Sequence, residues 1–335
     1  MFFIVGRGRS GTSVLARLLA HHPHISVPPE CPFVLHLRRT HGRGPVDAGR
    51  FVADLQRERR FADWRLDPAA LLATLHVHGR RGQRLTFSRA CRLVYGAYAQ
   101  RHGGGERVRV FGDKNPIHSL YVSALLATFP QARFVHLVRD PRDNVASFLR
   151  VPFDAGSAAV LAHRWVHYHR AVERWARRYP ARFLRLRYED LVGRPEEILA
   201  AIAAFLRVRE HPAMLRFFAR AQSSPIRWHR RQRHPLHGGR VGRWRGGALS
   251  HSEVATVVAI CGALAREFGY DVAGVAGKRR GLVHRSEGRV RACLYTAAER
   301  GAFALPLPLR VPVIDAYRHL TGGWERPVAT NSQVL

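Results

Sequence analysis

A Gly-rich stretch near the start of the chain carries the residue types that bind an oxyanion. Gly6, Gly8 and Gly11 alternate with polar side chains at Arg9, Ser10, Thr12 and Ser13. Glycine lets the backbone turn tightly and leaves its N–H groups open to a ligand, while arginine and hydroxyl groups add charge and further donors. The stretch therefore predicts a binding loop for phosphate or a similar anion.

The elements on either side of this loop place it between a strand and a helix. Phe2–Val5 is a short apolar run, and residues 14–19 repeat apolar side chains at helical spacing. The helix then begins near Thr12, with the positive end of its dipole toward the loop. The spacing resembles a nucleoside triphosphate loop, but Thr12 stands where that loop has lysine. An ordinary Gly-rich connection is the alternative that the loop alone leaves open.

Two further candidates follow predicted extended segments. Glu30 comes directly after two prolines, which exclude a continuing helix, and its carboxylate could act as a general base or pair with a surface arginine. Lys114 follows the alternating run 107–111, which predicts a strand whose carboxyl end is a usual place for active groups. Only two of the 55 basic residues are lysines, so Lys114 indicates a compact point charge, with chance as the alternative. His22 and His24 are weaker base candidates.

A third candidate group follows the predicted strand 133–138. Arg139 ends the strand, and Ser147 lies about two turns along the helix that follows. Arginine offers a planar fork for a phosphate, and serine adds a neutral hydrogen bond. The alternatives are that Arg139 merely pairs with Asp140 or Asp143, and that Asp140 is the magnesium ligand of a nucleotide hydrolase.

In this order, the motifs resemble those of sulfotransferases that use 3′-phosphoadenosine 5′-phosphosulfate (PAPS), closest in style to the tyrosylprotein, carbohydrate and bacterial types. Residues 9–13 resemble the 5′-phosphosulfate loop of that family, and residues 112–116 resemble its Lys-Asp-Pro stretch. Arg139 and Ser147 keep the eight-residue interval with which the family reads the 3′-phosphate. The resemblance implies an α/β, P-loop kinase-like fold, in which a parallel sheet is flanked by helices.

The resemblance also implies a role for each candidate. Glu30 would remove the acceptor's proton, while Arg9 and Lys114 would stabilise the leaving 5′-phosphate. The sulfuryl group would pass from PAPS to a hydroxyl or amine, leaving 3′,5′-ADP, and no metal would be required. The donor would be held by Arg9, Ser10, Gly11, Thr12, Ser13, Arg139 and Ser147, with Tyr188, Arg240 and Arg243 as further contacts.

Composition and charge limit the class of protein. The 335 residues are 46% hydrophobic and 24% charged, as in soluble globular proteins, and their four scattered cysteines predict neither a zinc site nor a disulfide framework. No apolar run reaches about 18 residues, and Phe2–Val5 is too short for a signal peptide, so we expect a cytoplasmic protein. The net charge of +31 leaves contact with an anionic membrane open. Because the arginines are dispersed and no nucleic-acid-binding motif is present, we predict no specific nucleic-acid partner.

We expect a sulfotransferase domain over residues 1–275, with a variable helical insertion at about 40–105. Residues 276–335 would form a basic linker and a C-terminal extension without an assigned role. The acceptor, whether small molecule, carbohydrate, lipid or peptide, would be gripped by helices predicted at 47–60 and 86–100. Two rival functions are a P-loop kinase or nucleotide hydrolase, which the missing loop lysine disfavours, and a non-catalytic binder of polyanions or nucleic acid, which the ordered motifs disfavour.

Overall fold

The computed structural model describes residues 1–58, 60–80, 84–103, 107–151, 156–215, 241–272 and 282–305. The chain forms two compact units, which are described separately. The first comprises Met1–Val138 and Ala171–Gly238, and the second comprises Arg139–Arg170 and Gly239–Leu335. The domain boundary expected at residue 275 stays a prediction.

The first unit is built on a parallel sheet, as predicted. Its five described strands are β1 (Phe2–Val5), β2 (Ile25–Ser26), β3 (Val110–Lys114), β4 (Arg133–Val138) and β5 (Phe183–Arg187). They lie in the order β2-β3-β1-β4-β5, and every neighbouring pair is parallel. The carboxyl ends of β1, β3 and β4 therefore meet at one edge of the sheet.

Twelve α-helices lie in the described part of the chain. In chain order they are α1 (Thr12–Ala20), α2 (Phe33–His41), α3 (Ala48–Gln56), α4 (Pro68–Arg80), α5 (Phe87–Arg101), α6 (Val122–Thr128), α7 (Pro141–Phe148), α8 (Ala158–Arg178), α9 (Tyr188–Gly193), α10 (Pro195–Leu206), α11 (His251–Glu267) and α12 (Leu282–Ala304). None of the helices described is long and apolar enough to cross a membrane.

The central strand β1 explains why its sequence is a continuous apolar run. Phe2 and Ile4 join a core cluster with α1, α9 and α10, whereas Phe3 and Val5 join a second cluster formed with α2–α6. All four side chains are fully buried. A strand covered by helices on both faces has no solvent-facing side, so hydrophobic residues do not alternate with polar ones along it.

The helices between β2 and β3 largely agree with prediction. The N-terminal caps of α3 and α5 are Asp47 and Thr86, whose side chains accept from backbone N–H groups three residues later. The additional helix α4 has no counterpart among the predicted elements. The sequence also predicts one helix from Pro116 to Phe129, but this segment begins as the 3-10 helix Pro116–Leu120, and α6 starts at Val122.

The sequence predicts a helix start at Pro141 and another at a Ser250/Glu253 capping box, and the described part of the second unit confirms both. Asp140 caps α7 by accepting from the Arg142 N–H at 2.8 Å, and Pro141 occupies the first turn. Ser250 and Glu253 form a reciprocal capping box at the start of α11, with both expected bonds present. These local signals act within a few residues, which is why the sequence reveals them.

Candidate active site

The predicted binding loop begins at a glycine that the structure does not let another residue replace. Gly6 has φ +145°, and a Cβ atom there would lie 2.3 Å from the Leu137 carbonyl oxygen. Ser119 Oγ accepts from the Gly6 N–H at 2.8 Å and donates to the Gly6 carbonyl at 3.1 Å. The segment after β3 thus holds the first residue of the loop in place.

The loop ends at a second constrained glycine, the N-terminal cap of α1. Gly11 has φ +89°, and a Cβ atom there would lie 2.4 Å from Cδ2 of Tyr188. The Tyr188 ring is buried, whereas Arg9 is exposed and adopts the left-handed conformation at φ +63°. Tyr188 therefore contacts the predicted loop directly, and its role toward a donor stays a prediction.

Lys114 joins the loop to Glu30. Its Nζ donates to Ser13 Oγ at 2.9 Å and also to Glu30 Oε1. Burial lowers the pKa of the Lys114 ammonium, and the Glu30 carboxylate opposes that shift. The structure thus brings three of the predicted residues together, with the carboxylate partly exposed and the ammonium buried.

Arg60 is a second cation on Glu30, so this carboxylate does pair with a surface arginine, although no sequence motif identifies which one. Its NH1 donates to Glu30 Oε2 at 2.9 Å, so each oxygen of this carboxylate contacts one cation. The Arg60 side chain is 59% exposed, against 8% for Lys114. Arg60 is one of 53 arginines and follows no recognisable motif, so only the fold identifies it.

A buried polar cluster supports the end of β3 that carries Lys114. Asp113 accepts from the Tyr95 hydroxyl at 2.5 Å and from Asn115 Nδ2 at 2.7 Å. Burial raises the pKa of the Asp113 carboxyl to about 7, although both of these hydrogen bonds favour the charged form. Burial also lowers the pKa of His118 to about 3, which keeps its imidazole neutral. Because Tyr95 belongs to α5, this cluster ties the helical insertion to the Lys114 strand.

The two histidines considered as bases are engaged in structural contacts. His22 Nε2 donates to the Arg209 carbonyl at 2.7 Å, and its Nδ1 accepts from the His24 N–H at 3.0 Å. His24 Nδ1 lies 2.8 Å from the Arg107 carbonyl. Burial lowers the pKa of His22. Both imidazoles are thus held by backbone groups, and the role of Glu30 as a base stays a prediction.

The predicted 3′-phosphate residues belong to the second unit. Arg139 is buried, its carbonyl accepts from Trp165 Nε1 at 3.1 Å, and its NH2 lies 3.9 Å from Asp143 Oδ2. Ser147 is partly buried on α7. The Asp143 carboxylate accepts from the backbone N–H groups of Gly242 at 2.7 Å and Trp244 at 3.1 Å.

Asp143 thereby holds a short turn against the first residues of α7. This turn, the 3-10 helix Arg243–Gly246, carries one of the predicted contacts, and Arg243 is exposed on it. Arg240 lies outside the described residues. The role of Arg243 toward a donor stays a prediction.

Both carboxylate oxygens of Asp140 make local structural contacts, which does not favour Asp140 as a metal ligand. Its Oδ1 caps α7, and its Oδ2 accepts from Arg142 NH2 at 2.7 Å. The Arg142 guanidinium also stacks over the Trp244 ring at 4.0 Å. Among the residues described, no group of three or more His, Cys, Asp or Glu side chains is arranged to hold a metal ion.

The chain is similar to sulfotransferases in sequence. The model of the Sulfotransferase family matches residues 2–212. Two curated relatives, from Mycobacterium bovis (strain ATCC BAA-935 / AF2122/97) and Mycobacterium tuberculosis (strain CDC 1551 / Oshkosh), are both called omega-hydroxy-beta-dihydromenaquinone-9 sulfotransferase Stf3. Each is 35% identical over 96 residues, which is 25% of this chain and 25% of the relative. The chain therefore spans about a quarter of the length of these relatives.

The fold is also similar to that of a solved sulfotransferase structure. The sulfotransferase domain from the Synechococcus PCC 7002 olefin synthase has a TM-score of 0.56 at 23% identity, with 81% of this chain and 94% of that domain covered. This likeness establishes the P-loop-like sulfotransferase fold. Since the family model matches well over half of the residues, the chain belongs to the sulfotransferase family.

Proposed function

We propose that this chain transfers a sulfuryl group from PAPS to a hydroxyl or amine of an acceptor and leaves 3′,5′-ADP. The contact of Lys114 with both Ser13 and Glu30 carries the proposal. It places an ammonium between the loop that would hold the donor and a carboxylate that could accept a proton. Family membership supports the reaction type, because PAPS is the general donor of sulfotransferases.

In this mechanism, the acceptor oxygen or nitrogen forms a bond to sulfur while the bond from sulfur to the 5′-phosphate oxygen breaks. Glu30 takes the proton that the acceptor loses. Negative charge then develops on the departing phosphate, where Lys114, Arg9 and the N–H groups of the loop stabilise it. A buried ammonium suits this task because its charge is poorly screened by water.

The remaining donor contacts divide by phosphate group. Residues 10–13 would hold the 5′-phosphate through backbone N–H groups and hydroxyls at the start of α1. Arg139 and Ser147 would bind the 3′-phosphate, with Arg243 and Arg240 as further basic contacts. Tyr188 would support the loop by packing on Gly11.

Arg60 would act as a positioning residue for the base. When a donor engages the Lys114 ammonium, the Glu30 carboxylate loses part of its contact with that lysine. The NH1 contact of Arg60 on Oε2 would then keep the carboxylate oriented. This role differs from that of Lys114, because Arg60 reaches Glu30 from the helical insertion and is largely exposed.

The acceptor is a matter for experiment. The mycobacterial relatives are named for an omega-hydroxylated menaquinone derivative, so a lipid hydroxyl is the first acceptor class to test. Alcohols, phenols and amines of small molecules, carbohydrates and peptides complete the set. The ATP-dependent alternative would need a cation where the loop has Thr12.

Thermal unfolding with nucleotides tests the donor before any acceptor is known. We expect 3′,5′-ADP to raise the melting temperature without added metal, because binding at about a hundred times the dissociation constant stabilises the folded state by about 2.7 kcal/mol. The 2′,5′ isomer and ATP with magnesium are the matched comparisons and should shift it much less. If ATP with magnesium gives the larger shift, or if every shift vanishes at about 0.5 M salt where surface attraction is screened, the proposal is wrong.

A further inference from the structure

The outer face of α12 presents an apolar patch. Val290 is 58% exposed and Leu294 is 55% exposed, and they stand one turn apart on this helix. Among the described residues, Val77 on α4 is the one other large hydrophobic side chain that is comparably exposed. Two of the three exposed large hydrophobics thus share a single helix face.

The opposite face of α12 packs within the second unit and sets the orientation of the helix. A Cβ atom at Gly288 would lie 2.7 Å from the Ala159 Cβ, so the two backbones approach closely there. Ala292 and Thr296, one and two turns further on, are buried. The Arg164 guanidinium lies 3.7 Å from the centroid of the Tyr295 ring. Val290 and Leu294 therefore point outward because the helix is held by its other side.

Basic residues border the apolar pair on both sides. Arg289 and Arg291 are exposed and lie about 100° around the helix axis on either side of Val290. In sequence, residues 278–300 carry seven Lys or Arg against two Glu, a net charge of +5. Arginine stems can cover apolar surface while their guanidinium groups reach phosphates, as in helices that lie in a membrane interface.

We propose that the outer face of α12, formed by Arg289, Val290, Arg291 and Leu294, docks on an anionic membrane surface. The apolar pair enters the boundary between headgroups and acyl chains, and the flanking arginines contact lipid phosphates. An apolar patch alone would suit many partners, but a patch bordered by positive charge on both sides is complementary to anionic headgroups. The proposal is independent of the donor site and holds whether or not the sulfotransferase reaction is confirmed.

The cysteines of the chain provide a local probe of this face. Cys293 is exposed beside Leu294, whereas Cys31, Cys91 and Cys261 are buried. An environment-sensitive fluorophore that reacts with thiols should therefore label the native, full-length chain at Cys293. We expect its emission to move to shorter wavelength with vesicles of phosphatidylcholine containing about 30% phosphatidylglycerol, and to stay unchanged with phosphatidylcholine alone.

Sedimentation of the unlabelled chain with the same vesicles tests the residues. The double variant Val290→Ser/Leu294→Ser should weaken binding about tenfold or more, because it removes the side chains that enter the apolar region. Val77→Ser is the matched control and should bind as the native chain does. Arg289→Gln/Arg291→Gln should bind less and should lose part of the salt dependence.

Several results would overturn the proposal. Equal binding by the native chain and the Val290→Ser/Leu294→Ser variant would show that the general positive charge, and not this face, attracts the membrane. An equal loss in Val77→Ser would mean that any exposed hydrophobic side chain contributes. If no vesicle binds while the native chain self-associates and the double variant does not, the face contacts a second copy of the chain instead.

Discussion

Gly11 offers a test of how tightly the loop is packed. Replacing Gly11 with alanine places a side chain at φ +89°, in the left-handed region, which costs roughly 1–2 kcal/mol. The new Cβ would also lie 2.4 Å from the Tyr188 ring, and such overpacking typically costs about 1–3 kcal/mol. Gly11→Ala should therefore destabilise the protein by about 2–5 kcal/mol.

Gly44 provides the matched control for this variant. It has φ +76°, and a Cβ atom there would meet nothing within 4 Å. Gly44→Ala should lose only the conformational part, about 1–2 kcal/mol. Both variants restrict the unfolded chain in the same way, so the difference between them isolates the contact with Tyr188.

The assay is urea unfolding of both variants, followed by the melting-temperature shift with 3′,5′-ADP. We expect Gly11→Ala to be the less stable of the two and to show a reduced nucleotide shift, because the loop must move away from the ring. Adding Tyr188→Leu to Gly11→Ala should recover part of the stability. If Gly11→Ala and Gly44→Ala are equally stable, the inferred packing of the loop is wrong.

Three further predictions follow from the site. Arg60→Ala should lower turnover while leaving the 3′,5′-ADP melting shift intact, and it should have no further effect on turnover in a Glu30→Gln background. Arg57→Ala removes a similarly exposed ion pair and should leave turnover unchanged. An equal loss of turnover in Arg57→Ala and Arg60→Ala would refute the positioning role. Arg139→Ala should weaken 3′,5′-ADP about ten- to a hundredfold but 5′-AMP little, measured by calorimetry, since a charge-assisted bond contributes roughly 1.5–3 kcal/mol; equal losses would make Arg139 structural. Burial raises the pKa of Asp113 to about 7, so the folded chain holds one more proton than the unfolded chain between about pH 4 and 7. The free energy of unfolding should therefore fall as pH rises through that window, by roughly 4 kcal/mol at most. Asp113→Asn should flatten that part of the pH–stability curve, and an unchanged slope would contradict the assignment.

The parts of the fold that could be predicted are those with local causes. The apolar run Phe2–Val5 and the glycines after it identify the central strand and its loop, because burial on both faces and left-handed backbone impose strong constraints on residue type. The apolar run Arg133–Val138 identifies the next strand, and Pro141, whose fixed φ suits the first turn of a helix, identifies the start of α7. The strand predicted at 107–111 instead spans Val110–Lys114, because its pairing begins with β2 at Val110 and continues with β1 through Lys114.

The rest of the site depends on contacts between distant residues. Arg60 contacts Glu30, which lies 30 residues away in the sequence, and Tyr95 contacts Asp113, which lies 18 residues away. Both contacts depend on how the helices pack, which no local pattern specifies. Nothing in the sequence distinguishes Arg60 from the other arginines or marks Tyr95 as a ligand of a buried carboxyl. Such residues emerge only when the strands and helices are placed together.

Transfer of labelled sulfate from PAPS tests the central claim most directly. The native chain and Glu30→Gln would be incubated without added metal with labelled PAPS and acceptors that include lipid, phenol, alcohol and amine groups. We predict that the native chain labels at least one acceptor and releases 3′,5′-ADP in equal amount, and that Glu30→Gln lowers the rate about 10²-fold or more while keeping the 3′,5′-ADP melting shift. Equal rates for the two proteins would contradict the role of Glu30. The absence of both labelled product and any 3′,5′-ADP shift would contradict the sulfotransferase activity itself.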